Sequence, residues 1–87
     1  EAKRLDELKG TITATIIIIY HKDNHTGQMT KPQHHYNNVV LTFLHTHLEE
    51  GHCIEVIVAK GDAQTMRAFI NALKANRELL EVKVTLL

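Results

Sequence analysis

This chain of 87 residues has one cysteine, one proline, no tryptophan and a net charge of zero at neutral pH. A single cysteine excludes an internal disulfide and is typical of a reducing compartment, so we expect a cytoplasmic protein. Lysine and arginine together number 10, as do aspartate and glutamate, which leaves no excess positive charge to bind nucleic-acid phosphates. The longest apolar run, Ile16–Tyr20, is far too short to span a bilayer. The sequence therefore predicts neither a membrane protein nor DNA binding by this chain alone.

The length of the chain allows one domain, and a domain this small is often stabilised by a metal ion or by oligomerisation. Residues 1–9 are mostly charged and contain Leu5 and Leu8 three positions apart, which predicts a short helix or a linker. Gly10 ends this segment, and we place the domain at residues 10–87.

Four segments have the composition of strands. Thr11–Tyr20 is β-branched almost throughout and apolar on both faces in its second half, as expected of a central strand. Val39–His47 and Cys53–Lys60 lie on either side of the short turn Leu48–Gly51 and predict a hairpin. Glu81–Leu87 alternates between apolar and polar residues, with its valines expected to point inward.

Two segments predict helices. Asp62 is a good N-cap, and the residues after it carry one apolar stripe at helical spacing: Met66, Phe69, Ile70 and Leu73. A shorter helix is expected around Thr30–Tyr36, with Pro32 in its first turn, where a missing N–H has no cost. The resulting order βαββαβ predicts a ferredoxin-like α+β fold, an antiparallel four-stranded sheet with two helices on one face.

Histidine is the abundant feature, because all seven histidines precede Cys53 within a short stretch. The period of two places five residues on one face of the second strand: Val39, Leu41, Phe43, His45 and His47. Two imidazoles at such positions are about 7 Å apart along the backbone, close enough to converge on one ion. Because the hairpin turn returns the chain, Cys53 comes level with the pair, and three candidate ligands arise from one hairpin.

A thiolate among the ligands selects against Mg²⁺ and Ca²⁺, whereas a mixed imidazole and thiolate set suits zinc, copper or nickel. A fourth ligand is not supplied by the hairpin, and the candidates are His52, His34, His35 and water. Seven steps of about 3.3 Å separate Asn38 from His45, roughly 23 Å, so His34 is either irrelevant or donated by another subunit.

Other interpretations compete with a metal site. A strand histidine by itself is more often a surface residue, and a lone cysteine is more often a small buried hydrophobe. Glu55 shares a strand face with Cys53 and is either an outward, solvated carboxylate or a group that orients a ligand histidine. A cysteine nucleophile with a histidine base is a weaker hypothesis, because no oxyanion hole or helix N-terminus is predicted beside Cys53. We therefore do not expect an enzyme.

The segment QHHYNNVVLTFLHTHLEEGHCIEVIVAKGD resembles the C-terminal regulatory domain of the nickel-responsive repressor family NikR. The shared pattern is Gln-His, then His-x-His-x5-Cys, then a strand and a Lys-Gly-Asp turn, and at the level of the fold it covers most of residues 10–87. The resemblance implies an ACT-like βαββαβ domain that assembles as a homotetramer. It also implies a square-planar Ni(II) ion, with Zn(II) or Cu(II) as substitutes, held by His45, His47 and Cys53 of one subunit and His34 of another.

The same resemblance assigns supporting roles. It places Gln33 and Glu55 in a hydrogen-bond network around the ligands and Tyr20 as an aromatic residue near the site. The ribbon-helix-helix DNA-binding domain of that family is absent from this chain, so DNA is expected to be reached only through another domain. The alternative function is a metal-free ACT-like module that binds a small molecule or mediates oligomerisation.

Overall fold

The computed structural model describes residues 7–22, 36 and 38–87. Within them, four strands and one α-helix follow in the order β1 (Thr11–His21), β2 (Val40–His47), β3 (His52–Asp62), α1 (Ala63–Lys74) and β4 (Leu79–Leu86). The strands form one antiparallel sheet in the order β2-β3-β1-β4. This arrangement confirms the ferredoxin-like α+β prediction. The expected first helix, Thr30–Tyr36, and residues 1–6 lie outside the described residues, apart from Tyr36 itself.

Strand β1 lies inside the sheet because both of its faces are apolar. Its residues alternate between buried and half-buried positions, and five of them form a row of the core: Ile12, Ala14, Ile16, Ile18 and Tyr20. Strand β3 pairs with one edge of β1 along its whole length, and β4 pairs with the other edge. The prediction of a central first strand is confirmed.

Helix α1 begins where the sequence predicts and covers the core face of the sheet. Asp62 caps it, since its carboxylate accepts hydrogen bonds from the Thr65 amide at 3.3 Å and the Thr65 hydroxyl at 2.7 Å. These bonds lower the pKa of the Asp62 carboxyl. The predicted apolar stripe is fully buried, and it consists of Met66, Phe69, Ile70 and Leu73. No helix among the described residues is long and apolar enough to cross a membrane.

The segment before β1 is held against α1 by two hydrogen bonds. The Arg67 guanidinium donates to the Leu8 carbonyl at 3.0 Å, and the Ala63 amide donates to the Gly10 carbonyl at 2.8 Å. Gly10 has a φ of 78°, a left-handed conformation that favours glycine. Leu8 also packs against the core, so the chain enters the sheet along the start of α1.

Strand β2 departs from the predicted period of two. Its pairing with β3 shifts between Val40 and Thr42, so that β2 contains one extra residue there, a β-bulge at Leu41. The bulge interrupts the regular alternation that was predicted for this part of the strand. Val39 is buried, whereas Leu41 is 61% exposed. The short turn between β2 and β3 is a 3-10 turn, Glu49–Gly51.

Gly61 provides a test of the packing between β3 and the residue that precedes β2. A Cβ atom at position 61 would lie 2.7 Å from Cγ1 of Val39, a stiff, β-branched side chain that is 3% exposed. We expect Gly61→Ala to lower the free energy of unfolding by about 1–3 kcal/mol, because the added methyl group overpacks the core. Chemical denaturation at fixed protein concentration measures this cost. The cost should fall when Gly61→Ala is made in a Val39→Ala background, and equal costs in both backgrounds would contradict the contact.

Candidate metal centre

The strand register brings the hairpin ligands into one row. His47 is the cross-strand partner of Cys53, and Cys53 is in turn the partner of Tyr20 on β1. His45 is the partner of Glu55, which lies two residues after Cys53 on the same face of β3. Because cross-strand partners point to the same side of a sheet, all five side chains leave the face that carries the core.

Three donor atoms converge at this end of the hairpin. One nitrogen from each of His45 and His47 and the Cys53 sulfur lie within 4.8 Å of one another. The Cys53 Sγ is 3.4 Å from Nδ1 of His47, and the two imidazole centroids are 5.3 Å apart with the rings at 78°. Two donors on one ion are at most about 4.4 Å apart, so small side-chain shifts suffice to bind an ion. The donor set therefore fits a transition metal.

The trio of candidate ligands, His45, His47 and Cys53, is buried on the side of the core and exposed on the other side. Cys53 is 2% exposed, whereas both histidines are exposed on the edge strand β2. A buried thiol beside two accessible imidazoles leaves room for one more ligand from solvent or from another chain. Its soft sulfur and borderline nitrogens exclude a site built for Mg²⁺ or Ca²⁺.

Tyr20 is the residue behind the first imidazole. Its hydroxyl is 3.1 Å from Nδ1 of His45, and the two rings meet edge to face with centroids 6.1 Å apart. Burial, followed by the negative charges of Glu55 and of Cys53, raises the pKa of Tyr20 to about 12. The phenol is thus protonated at neutral pH. Since a phenol both donates and accepts, it can hold the His45 ring in either tautomer.

Glu55 is not the outward, solvated carboxylate that sequence reasoning kept as one alternative. It is 6% exposed and sits between Ile18 of β1 and His45 of β2 in the strand register. The negative charge of Glu55 contributes to the raised pKa of the Tyr20 phenol, so Glu55 lies near the same group of side chains. A role in orienting a ligand remains a prediction, supported by this burial.

His52, the one other candidate ligand among the described residues, is not brought to the trio. His52 is the residue before Cys53 and points to the opposite face of β3, where its cross-strand partner is His21. His34, His35 and Gln33 lie outside the described residues, so their predicted roles remain predictions. The Tyr20–His45 hydrogen bond is a feature that composition and spacing could not find, because it depends on the pairing of β1 with β3.

A sheet that gathers two imidazoles and a thiol on its edge hairpin defines a small α+β domain with a candidate site for a soft transition-metal ion. Comparison with known families gives this class a more specific assignment. The family described as "NikR C terminal nickel binding domain" matches residues 13–87, and the chain belongs to this family.

Individual relatives agree with the family assignment. A protein of Methanococcus vannielii named "Putative nickel-responsive regulator" is 31% identical over 87 residues, which span 98% of this chain and 62% of the relative. A protein of the same name from Desulfovibrio desulfuricans is 34% identical over 77 residues, 88% of this chain and 56% of the relative. The chain therefore spans less than two thirds of the length of the relatives it matches.

A solved structure supports the fold. The structure of an uncharacterized protein from Thermotoga maritima matches with a TM-score of 0.79 and 20% sequence identity, over 90% of this chain and 99% of the other. At this identity the likeness concerns the fold alone.

The raised pKa of Tyr20 gives a testable pH dependence. In the metal-free protein we expect the Tyr20 phenol to ionise near pH 12, well above its ordinary value of 10.0. Because the folded-state pKa is the higher one, this phenol stabilises the fold fully below pH 10, and the contribution is lost as pH rises towards 12. Absorbance of tyrosinate in a Tyr36→Phe chain, where Tyr20 is the remaining tyrosine, measures the ionisation directly.

The matched comparison is Tyr20→Phe, in which the loss of stability above pH 10 should be smaller than in the parent chain. Ionisation of Tyr20 at its ordinary pH in the folded Tyr36→Phe chain would show that the phenol is not held in a buried, negatively charged environment.

Proposed function

We propose that this chain is the metal-sensing regulatory domain of a nickel-responsive transcription regulator. The observation that carries the proposal is the convergence of His45, His47 and Cys53 within 4.8 Å on one hairpin, in a chain of the nickel-binding domain family. In this function Ni(II) is the regulatory signal, and the three side chains are its ligands from one subunit. The relatives are named as regulators, and we propose no catalytic activity for this chain.

The donor chemistry supports nickel and leaves two substitutes. Thiolate and imidazole ligands bind Ni(II), Cu(II) and Zn(II), and among these Cu(II) forms the strongest complexes at a site of this kind. Discrimination must then come from geometry and from metal availability in the cell. When bound, the ion supplies a fixed centre that holds the ends of β2 and β3 and any fourth ligand together. A free Cys53 is typical of a reducing compartment, which supports the proposed cytoplasmic location.

We propose that the fourth ligand is His34 of a neighbouring subunit and that the protein is a homo-oligomer, with a tetramer as the expected state. The open side of the trio supports a ligand from another chain, since both hairpin histidines are exposed. Apolar surface near the site also supports assembly: Phe43, next to His45 on the same face, is 56% exposed, and Leu44 is 63% exposed. Leu44 lies on the opposite face of β2, so this edge strand exposes apolar side chains on both faces for contact with another chain.

Coupling to DNA would then run through the segment before β1. Because the chain covers 62% of the length of its relative from Methanococcus vannielii, we propose that DNA is bound by a domain outside it. Leu8 and Gly10 are hydrogen-bonded to α1, so the direction in which the chain leaves towards residue 1 is set by the core. The equal numbers of basic and acidic residues in this chain also support DNA binding by another domain.

The ligand role of Cys53 is tested by Cys53→Ser. We expect loss of the thiolate-to-nickel charge-transfer band and a fall in Ni(II) affinity of more than about 100-fold, because losing a direct ligand costs more than disturbing an outer hydrogen bond. In the parent chain the Ni(II) affinity should also decrease as the pH is lowered, since protons compete for the ligands. Absorption spectroscopy during Ni(II) titration measures both.

Thr46→Ser is the matched control for this substitution. Thr46 lies between the two histidines but points to the other face of β2, so the band and the affinity should be kept. Unchanged Ni(II) affinity in Cys53→Ser would remove Cys53 from the site, whereas no Ni(II) binding by the parent chain would favour the metal-free module instead.

The trans ligand is tested by mixing two defective chains. His34→Ala chains keep the hairpin ligands, and Cys53→Ser chains keep His34, so hybrid oligomers should contain some complete sites. We expect the mixture to recover part of the parent charge-transfer spectrum that neither variant shows alone. Subunit exchange is verified by native mass spectrometry of differently labelled chains. No recovery despite verified exchange would rule out a ligand donated between subunits.

A further inference from the structure

A second histidine pair lies on the face of the sheet opposite the candidate metal centre. His21, the last residue of β1, is the cross-strand partner of His52, the first residue of β3. The two imidazole centroids are 5.7 Å apart, and the rings are at 88°. Since neighbouring residues on a strand point to opposite faces, His21 and His52 lie behind Tyr20 and Cys53, and neither faces the His45 ring.

The spacing of this pair is close to that of the first pair. His45 and His47 have centroids 5.3 Å apart with rings at 78°, against 5.7 Å and 88° for His21 and His52. A metal–nitrogen bond of about 2 Å and a ring radius of about 1.1 Å place two imidazole centroids roughly 5 Å apart on a tetrahedral ion and roughly 6 Å apart on a linear one. The second pair falls between these limits, so the separation of its rings is compatible with one shared ion.

The turn before β3 packs against this pair and fixes the backbone of one of its members. Gly51 has a φ of 77°, and a Cβ atom there would lie 3.8 Å from Cε1 of the His21 ring, so the turn backbone packs close to this imidazole. The backbone of His52 is fixed by the Leu48 amide, which donates to its carbonyl at 2.8 Å. The Cε atom of Lys22 lies 3.8 Å from the same Cβ position, and the turn itself contains the two acidic residues Glu49 and Glu50.

From this geometry we propose that His21 and His52 form a second metal site, which takes a first-row divalent ion through two imidazoles and water. The site has no thiolate, so it binds more weakly than the hairpin site and fills after it. A bound ion ties the last residue of β1 to the first residue of β3 across the sheet. The proposal uses residues that the proposed nickel site does not use, and either can fail without the other.

The test counts ions per chain by equilibrium dialysis against Ni(II) while the charge-transfer band of Cys53 is recorded. In the parent chain we expect the band to saturate with the first ion and a second ion to bind without changing it. The double variant His21→Gln with His52→Gln should lose the second ion and keep the band, which also shows that it is folded. The control, His25→Gln, removes an imidazole that neither proposed site uses and should keep both ions.

Three results would overturn the second site: no second ion in the parent chain, a second ion retained in the His21 and His52 double variant, or its equal loss in the His25→Gln control. The readouts also separate the two proposals. A chain that shows no thiolate band but still binds an ion that depends on His21 and His52 would contradict the proposed nickel site and support this one.

Discussion

The antiparallel register of β2, β3 and β1 is the constraint on which the site depends. Each strand contributes one side chain to the row His47, Cys53 and Tyr20, and this row exists only because the partners are aligned residue by residue. A slip of one residue between two strands would turn a whole strand's side chains to the other face of the sheet. The register is itself held by the core, since β1 and β3 are buried on the face that α1 covers, where slippage would expose apolar side chains. Packing remote from the histidines thus decides whether they meet the thiol.

Burial of Cys53, Glu55 and Tyr20 gives the centre its electrostatic character. A carboxylate, and a thiolate once the cysteine is ionised, favour a cation beside them at the edge of an apolar core, because charges are poorly screened there. Burial, followed by the negative charges of Glu55 and Cys53, raises the pKa of the neighbouring phenol. Tyr20 therefore remains a neutral hydrogen-bonding group that positions an imidazole without competing with it as an anionic ligand. The exposed edge strand carries the two imidazoles, so the part of the site that must remain accessible is on the least buried strand.

Local pattern was enough to predict the fold and the convergence of the three candidate ligands on the hairpin. The β-branched run of β1, the apolar stripe after Asp62 and the spacing from His45 through Cys53 are all features of neighbouring residues, and the structure agrees with each. The bulge at Leu41 was missed because no glycine or proline marks it, and it arises only from how β2 fits along β3. The burial of Glu55 was left open for a related reason. Alternation assigns a residue to a face, but its environment depends on strands distant in sequence.

The extra residue at the bulge also bears on how this domain tolerates changes of length. From Thr42 to His47 the pairing with β3 is regular, and the irregularity is confined to the start of the strand, where Val40 is paired with Ala59. Loss of one residue near Leu41 can be absorbed if the strand becomes regular, and the histidines then keep their face. A deletion of one residue between Thr42 and His45 cannot be absorbed in this way. It would turn the side chains of one part of the strand to the other face of the sheet. Insertions and deletions among homologues should accordingly cluster before Thr42, and the stretch from there to Cys53 should keep a constant length.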